Sequence, residues 1–176
     1  MPTVVTHAAV PLAIGLGLGK KAISRQLLIA GIAASMLPDL DTLGFKLGIP
    51  YGSQFGHRGF THSLFFAGVL AIVAAGMYRV LRTTAIKAFA FVFLSAASHG
   101  LLDTCTTGGR GVALLWPFSL HRFFAPVRFI RVSPIGIARF LSGRANAVLL
   151  SELLWVWIPM ALLFFALLAL RKNATR

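Results

Sequence analysis

The stretch Ser98-His99-Gly100-Leu101-Leu102-Asp103 closes a long apolar run and sets a histidine and a carboxylate four residues apart. On a helix, that spacing puts both side chains on one face, about one turn from each other. The run carries them to a membrane–water boundary, where an ionisable pair is costly unless something compensates it. A bound metal ion is the usual compensation for a His-x-x-x-Asp pair. A helix-to-helix hydrogen bond is the plainer alternative.

The other groups able to do such chemistry are few. The remaining acids are Asp39, Asp41 and Glu152, and the remaining histidines are His7, His57, His62 and His121. Each acid sits at the end of an apolar run or just inside one, where membrane proteins keep carboxylates mainly to pair or to bind something. Asp, Glu and neutral His suit zinc, with manganese and iron as competitors, and the single cysteine, Cys105, rules out a thiolate cluster. Three Asp, one Glu and several His exceed one tetrahedral shell, so one to three ions are expected. The expected ligands are His7, Asp41, His57, His62, His99 and Asp103. Asp39 stands behind Asp41, and Glu152 lies one turn into the last helix; both are assigned to the catalytic set. Arg58, beside His57, is expected to hold a substrate phosphate. His57 and His62 are five apart and reach one site only through a bend, which Gly59 allows. Capping by Asp39 and Asp41 beyond Pro38, pairing of Glu152 with an arginine, and a headgroup-facing His7 are the alternatives at those positions. His121, among arginines and aromatic rings, reads as interfacial.

The elements that position these residues follow from hydropathy. With 57% hydrophobic and 12% charged residues in 176, and a mean hydropathy of +0.83, the chain reads as an integral membrane protein of one domain over residues 1–176. The expected fold is an all-α polytopic bundle of about five apolar helices, over 7–19, 22–37, 63–81, 85–103 and 147–170. The first two are short: 12 to 16 residues span roughly 18–24 Å against a hydrocarbon core of ~30 Å. Thr6 and Thr61 are the expected caps of the first and third helices, Pro38 ends the second, and 42–60 is a glycine-rich loop. Residues 104–147 form a long acid-free connection with arginines among aromatic residues, read as lying at the interface. Simple alternation of these helices brings the ionisable candidates to one face.

The net charge of +13 lies between apolar runs and carries no nucleic-acid motif, so anionic lipid headgroups are the expected partners rather than nucleic acid. Lys20, Lys21, Arg79, Arg82 and Lys87 flank the opposite face in short segments, which makes that face cytoplasmic and the site an outer-face one.

His7, Pro38-Asp39-Leu40-Asp41, His57-Arg58-Gly59-Phe60-Thr61-His62-Ser63, the His99–Asp103 stretch and Leu115-Trp116-Pro117-Phe118 together resemble the YdjM-like family over residues 1 to about 170. That family is described as LexA-regulated, inner-membrane, metal-dependent hydrolases, and the resemblance implies a multi-pass protein of the bacterial inner membrane with phospholipase-type activity. It is similar, at a distance, to zinc-dependent phospholipase C, whose His-x-x-x-Asp pair looks like His99 and Asp103 and whose separate Asp and His ligands look like Asp41 and His62. The clustered histidines that follow that pair there are missing here. The function expected is therefore hydrolysis of a lipid or lipid-linked phosphoester by a metal-activated water. A metal-binding transporter or assembly protein without hydrolase activity is the rival, although the middles of 63–81 and 85–103 carry no acid or histidine. A phosphohistidine enzyme of the type 2 phosphatidic acid phosphatase class needs an arginine shortly before His99, and residues 89–98 contain none.

Overall fold

Small residues let apolar helices approach closely, and this chain places them where its helices cross. In the computed structural model, which describes residues 1–136, 140 and 145–174, helix α1 (Ala9–Leu18) follows a 3-10 turn over Val4–Ala8 and stops at Gly19, whose φ of 80° suits a residue without a Cβ. Helix α2 (Arg25–Met36) is capped by Ser24, which accepts from the Leu27 amide and also donates to the Leu81 carbonyl. Helix α3 (Leu64–Gly76) is capped by Ser63 rather than Thr61, and α4 (Ala85–Thr104) by Thr84. The last helix begins as α5 (Ala145–Glu152), passes through a π turn at Leu153–Trp157 and continues as α6 (Ile158–Asn173). Among the described residues there is no β-strand, only two isolated bridges.

Helix α4 is the axis, packed against α2 and α3, while α1 joins α2 to α6. The core between α2, α3 and α4 holds Leu27, Ala34, Ala67, Ala74, Ala88, Phe91 and Val92. Among the described residues three stretches are long and apolar enough to cross a membrane: Arg25–Leu47, Ala85–Thr104 and Ala145–Asn173. The last is the least buried of the three, with Leu162, Phe165 and Leu170 exposed, as on a lipid-facing surface.

Two expectations about length change. The second helix does not finish at Pro38: the α-helix ends at Met36, and a 3-10 helix carries on over Leu37–Leu47 to Gly48. Proline lacks an N–H but fits the first turn of a helical stretch, where that group has no acceptor. The third helix is shorter than 63–81, because the chain turns after Gly76 and Arg82 takes a positive φ of 51°.

The connection after α4 also packs against the helices. Its described part folds back over the ends of α3 and α4: Leu64 N–H donates to Leu114, Ala113 N–H to Arg58, and Ala125 N–H to Thr104. Val112 and Ile130 are fully buried in it. Arg122 donates to the backbone carbonyls of His57, Ser53 and Tyr51 instead of reaching lipid. Arg139 and Arg144 lie outside the described residues.

Candidate metal centre

The 3-10 geometry of Leu37–Leu47 does the first positioning. With three residues per turn, side chains two apart diverge by about 120°. Asp39 and Asp41 thus point in different directions and take opposite sides of His62. Asp39 lies 3.7 Å from His62 Nε2, and Asp41 lies 3.3 Å from His62 Nδ1. Helix α4 supplies the rest from one face, with Asp103 Oδ2 3.4 Å from His62 Nε2 and His99 Nε2 3.5 Å from Asp39 Oδ1.

Asp39, His62, His99 and Asp103 are all buried, and one ligand atom from each lies within 4.8 Å of all the others. Their converging atoms are Asp39 Oδ1 and Oδ2, Asp103 Oδ1 and Oδ2, and the Nε2 atoms of His62 and His99. Among the described residues none has a hydrogen-bond partner, although Asp103 Oδ2 also faces Arg58 Nε at 3.1 Å. Buried polar atoms in native proteins are nearly always satisfied, so six such atoms facing one another call for an occupant. Separations of 3.4–3.7 Å exceed a hydrogen bond but match a coordination shell. Tetrahedral bonds of about 2.0–2.2 Å set ligand atoms about 3.3–3.6 Å apart. The donor set and the spacing fit a divalent metal.

Contacts behind these atoms fix their chemistry. His99 Nδ1 lies 2.7 Å from the Ser35 carbonyl, so that nitrogen carries the proton and Nε2 keeps its lone pair. Thr61 Oγ1 donates to Asp41 Oδ2 at 2.7 Å and lies 3.0 Å from His62 Nδ1. Burial alone would lower the pKa of His62, but the carboxylates of Asp103, Asp39 and Asp41 that face it outweigh burial and raise the value to about 10. The carboxylates thus favour positive charge in the pocket.

The remaining candidates have other surroundings. His7 stacks on His99 with ring centroids 3.6 Å apart and places Nε2 3.7 Å from both Asp39 and Asp103. Both of its ring nitrogens lack hydrogen-bond partners. His57 Nδ1 is 2.7 Å from Asp41 Oδ1, a hydrogen-bond length rather than a spacing across an ion. Asp41, His57 and His62 still form a second group of potential ligands. Burial lowers the pKa of His57 and favours its neutral form. A cavity of about 270 Å³ borders this ring, lined by Tyr51, His57, Gly109, Ser133 and Pro134 among others.

Arg58 is completely buried, with Nε 3.1 Å from Asp103 Oδ2, NH1 donating to Gly108 O and NH2 to Thr106 Oγ1. Its φ of 64° is a left-handed conformation costing of order 1–3 kcal/mol, held by Asp41 on its N–H and Ala113 on its carbonyl. The guanidinium expected to hold a phosphate is therefore turned inward onto Asp103.

A profile of the family described as YdjM inner membrane protein matches residues 1–174. The chain belongs to that family. It is 53% identical over 164 residues to the inner membrane protein YbcI of Escherichia coli K12, covering 93% of this chain and 95% of that protein. It is 38% identical over 107 residues to the inner membrane proteins YdjM of Escherichia coli K12 and of Shigella flexneri, covering 56% of this chain and 52% of each. No solved structure matches. These YdjM-family names state a membrane and no chemistry.

Glu152 belongs to neither ligand group. Its carboxylate accepts from Thr3 N–H at 2.6 Å, Thr3 Oγ1 at 2.7 Å and Thr6 Oγ1 at 2.6 Å, tying the N-terminal segment to the last helix. Trp157 Nε1 adds a bond to Thr6 Oγ1. Glu152→Ala is expected to lower stability by about 2–3 kcal/mol, since it strands one buried donor on Thr6 and two part-buried donors on Thr3, while metal stoichiometry stays at the wild-type value. Thermal unfolding and elemental analysis of the same detergent-solubilised sample check both halves.

Sequence reasoning missed Thr106 and Gly108 as the partners of Arg58 and Ser35 as the partner of His99, because backbone carbonyls and lone threonines carry no pattern. Gly100 did carry a signal. It is a glycine inside a helix, which costs about 1 kcal/mol against alanine, and a Cβ there would lie 2.5 Å from the His62 carbonyl oxygen.

Proposed function

We propose that the protein is a metal-dependent hydrolase of the bacterial inner membrane, acting on a lipid or lipid-linked phosphoester at the outer interface. The observation that carries this reading is the buried set of converging carboxylate and imidazole atoms, without hydrogen bonds among the described residues and spaced for a single ion. Asp39, His62, His99 and Asp103 hold the metal, most simply zinc, with His7 beside them as a further donor. A bound ion of this kind polarises a phosphoryl oxygen and lowers the pKa of water.

The chain's own residues do the rest. Asp41 orients both imidazoles: it fixes His57 through Nδ1 and faces Nδ1 of His62, leaving each Nε2 for the site. In this reading Asp39 is the ligand and Asp41 the orienting carboxylate, the reverse of their expected roles. His57, neutral and bordering the cavity, takes a proton at Nε2 as general base. Arg58 locks Asp103 and the segment 106–108 in place instead of binding substrate. The headgroup enters through the cavity beside Tyr51 and His57. The outer-face assignment rests on the short basic segments, Lys20-Lys21 and Arg79 to Lys87, collecting at the other end of the helices.

Wild-type protein purified without chelator should carry about one transition metal per chain and release a phosphorylated or dephosphorylated headgroup from lipid vesicles. Asp41→Asn should weaken metal binding about 10- to 100-fold, the usual effect of losing a carboxylate that orients a ligand. Metal-free wild-type protein would sink the reading, as would hydrolysis that survives exhaustive chelation.

A further inference from the structure

The end of the molecule opposite the His/Asp pocket is rich in cations. All four acidic side chains of the chain sit at the pocket end, so no acidic side chain faces Lys20, Lys21, Arg25, Arg79, Arg82 and Lys87. The Ser24 hydroxyl bonded to Leu81 draws the α3–α4 turn against the start of α2, and Arg171 NH1 reaches the Leu16 carbonyl at 3.4 Å. The ends of α1, α2 and α6 therefore meet there.

Between them lies a cleft of about 640 Å³, larger than the cavity beside the metal centre. Leu16, Ile23 and Leu28 form its apolar wall, and Lys20, Arg25 and Arg171 its rim. The Arg171 guanidinium rests on Gly19, where an added Cβ would lie 1.8 Å from NH1, so a bare backbone is required for it to cross. Arg25 stands in the first turn of α2, where a cation opposes the helix dipole and disfavours the helix. A cationic rim at the helix ends beside an apolar wall suits the two-part chemistry of a phospholipid.

We propose that this cleft binds one anionic phospholipid, its phosphate held by Lys20 and Arg25 and an acyl chain laid along Leu16, Ile23 and Leu28. The proposal is independent of the metal centre and of any hydrolysis there. A lipid seated in the cleft fastens the α1–α2 turn to the end of α6.

Native mass spectrometry of the detergent-solubilised protein with dioleoylphosphatidylglycerol, dioleoylphosphatidylcholine and inorganic phosphate tests it. One phosphatidylglycerol per chain should bind saturably, neither phosphatidylcholine nor millimolar phosphate should displace it, and Lys20→Ala and Arg25→Ala should each weaken it about fivefold. Lys20→Arg should keep the affinity, and Arg79→Ala, outside the cleft, should leave it unchanged. Both alanine variants alter exposed residues, and neither should lose thermal stability in lipid-free detergent. Equal retention of the two lipids would overturn the proposal, and so would equal losses in Lys20→Ala and Arg79→Ala. Displacement by free phosphate would overturn it too, making the cleft an anion site rather than a lipid site.

Discussion

Asp103→Ala is expected to abolish metal binding and to destabilise the fold in the same step. Its carboxylate faces His62 Nε2 at 3.4 Å, His7 Nε2 at 3.7 Å and Arg58 Nε at 3.1 Å, with every partner side chain fully buried. Alanine removes a ligand and leaves a buried guanidinium without its counter-charge. Breaking a buried pair on one side costs about 3–5 kcal/mol, against a total stability of order 5–15 kcal/mol. Asp103→Asn separates the two effects, because it keeps the volume and an oxygen acceptor for Arg58 while removing the charge an ion needs. It should lose the metal and keep most of the stability. Adding Arg58→Met to Asp103→Ala should restore stability without restoring metal, since the stranded charge is gone. Metal per chain by elemental analysis and unfolding temperature in detergent give the two readings. Wild-type stoichiometry in Asp103→Asn would remove Asp103 from the ligand set.

Gly100→Ala is expected to cost more than 100-fold in metal affinity without touching a ligand. An alanine Cβ would sit 2.5 Å from the His62 carbonyl oxygen and 3.5 Å from its carbon. The near atom is backbone, so α4 and the His62 segment must part by several tenths of an ångström. Metal–ligand distances tolerate only about 0.2 Å, and His62 sits on one side of this contact while His99 and Asp103 sit on the other. Helix propensity points the opposite way, favouring alanine by about 0.8–1 kcal/mol. A loss of affinity therefore reports the close approach and not a weakened helix. Gly68→Ala on α3, where nothing lies within 4 Å of the added Cβ, is the control and should leave affinity unchanged. The check is competition of each variant against a chromophoric zinc chelator; equal affinity in Gly100→Ala and wild type would dismiss the argument.

How these residues come together was legible to different depths. Hydropathy exposed α4 almost residue for residue, because 20 mostly apolar residues between Thr84 and Cys105 leave little choice. The spacing of His99 and Asp103 within it put both on one face. The boundary at Pro38 was visible as a break, but the 3-10 helix that continues beyond it was not. A proline is equally compatible with ending a helix and with opening a tighter one, and local sequence does not choose between them. That turn determines which of Asp39 and Asp41 faces His99. Arg58 misleads for a related reason: an arginine beside a histidine reads as a phosphate holder until its partners, Asp103, Thr106 and Gly108, arrive from 45 or more residues away.

By itself the sequence determined which side chains are available for chemistry, that they lie at helix ends, and which ends are basic, because each of these depends on composition and local periodicity. Tertiary structure alone decided which carboxylate meets which imidazole, that Glu152 anchors the N-terminal segment instead of joining the ligands, and that the segment after α4 covers the site. Those outcomes turn on distances of a few tenths of an ångström between segments far apart in the chain, and no local propensity encodes them.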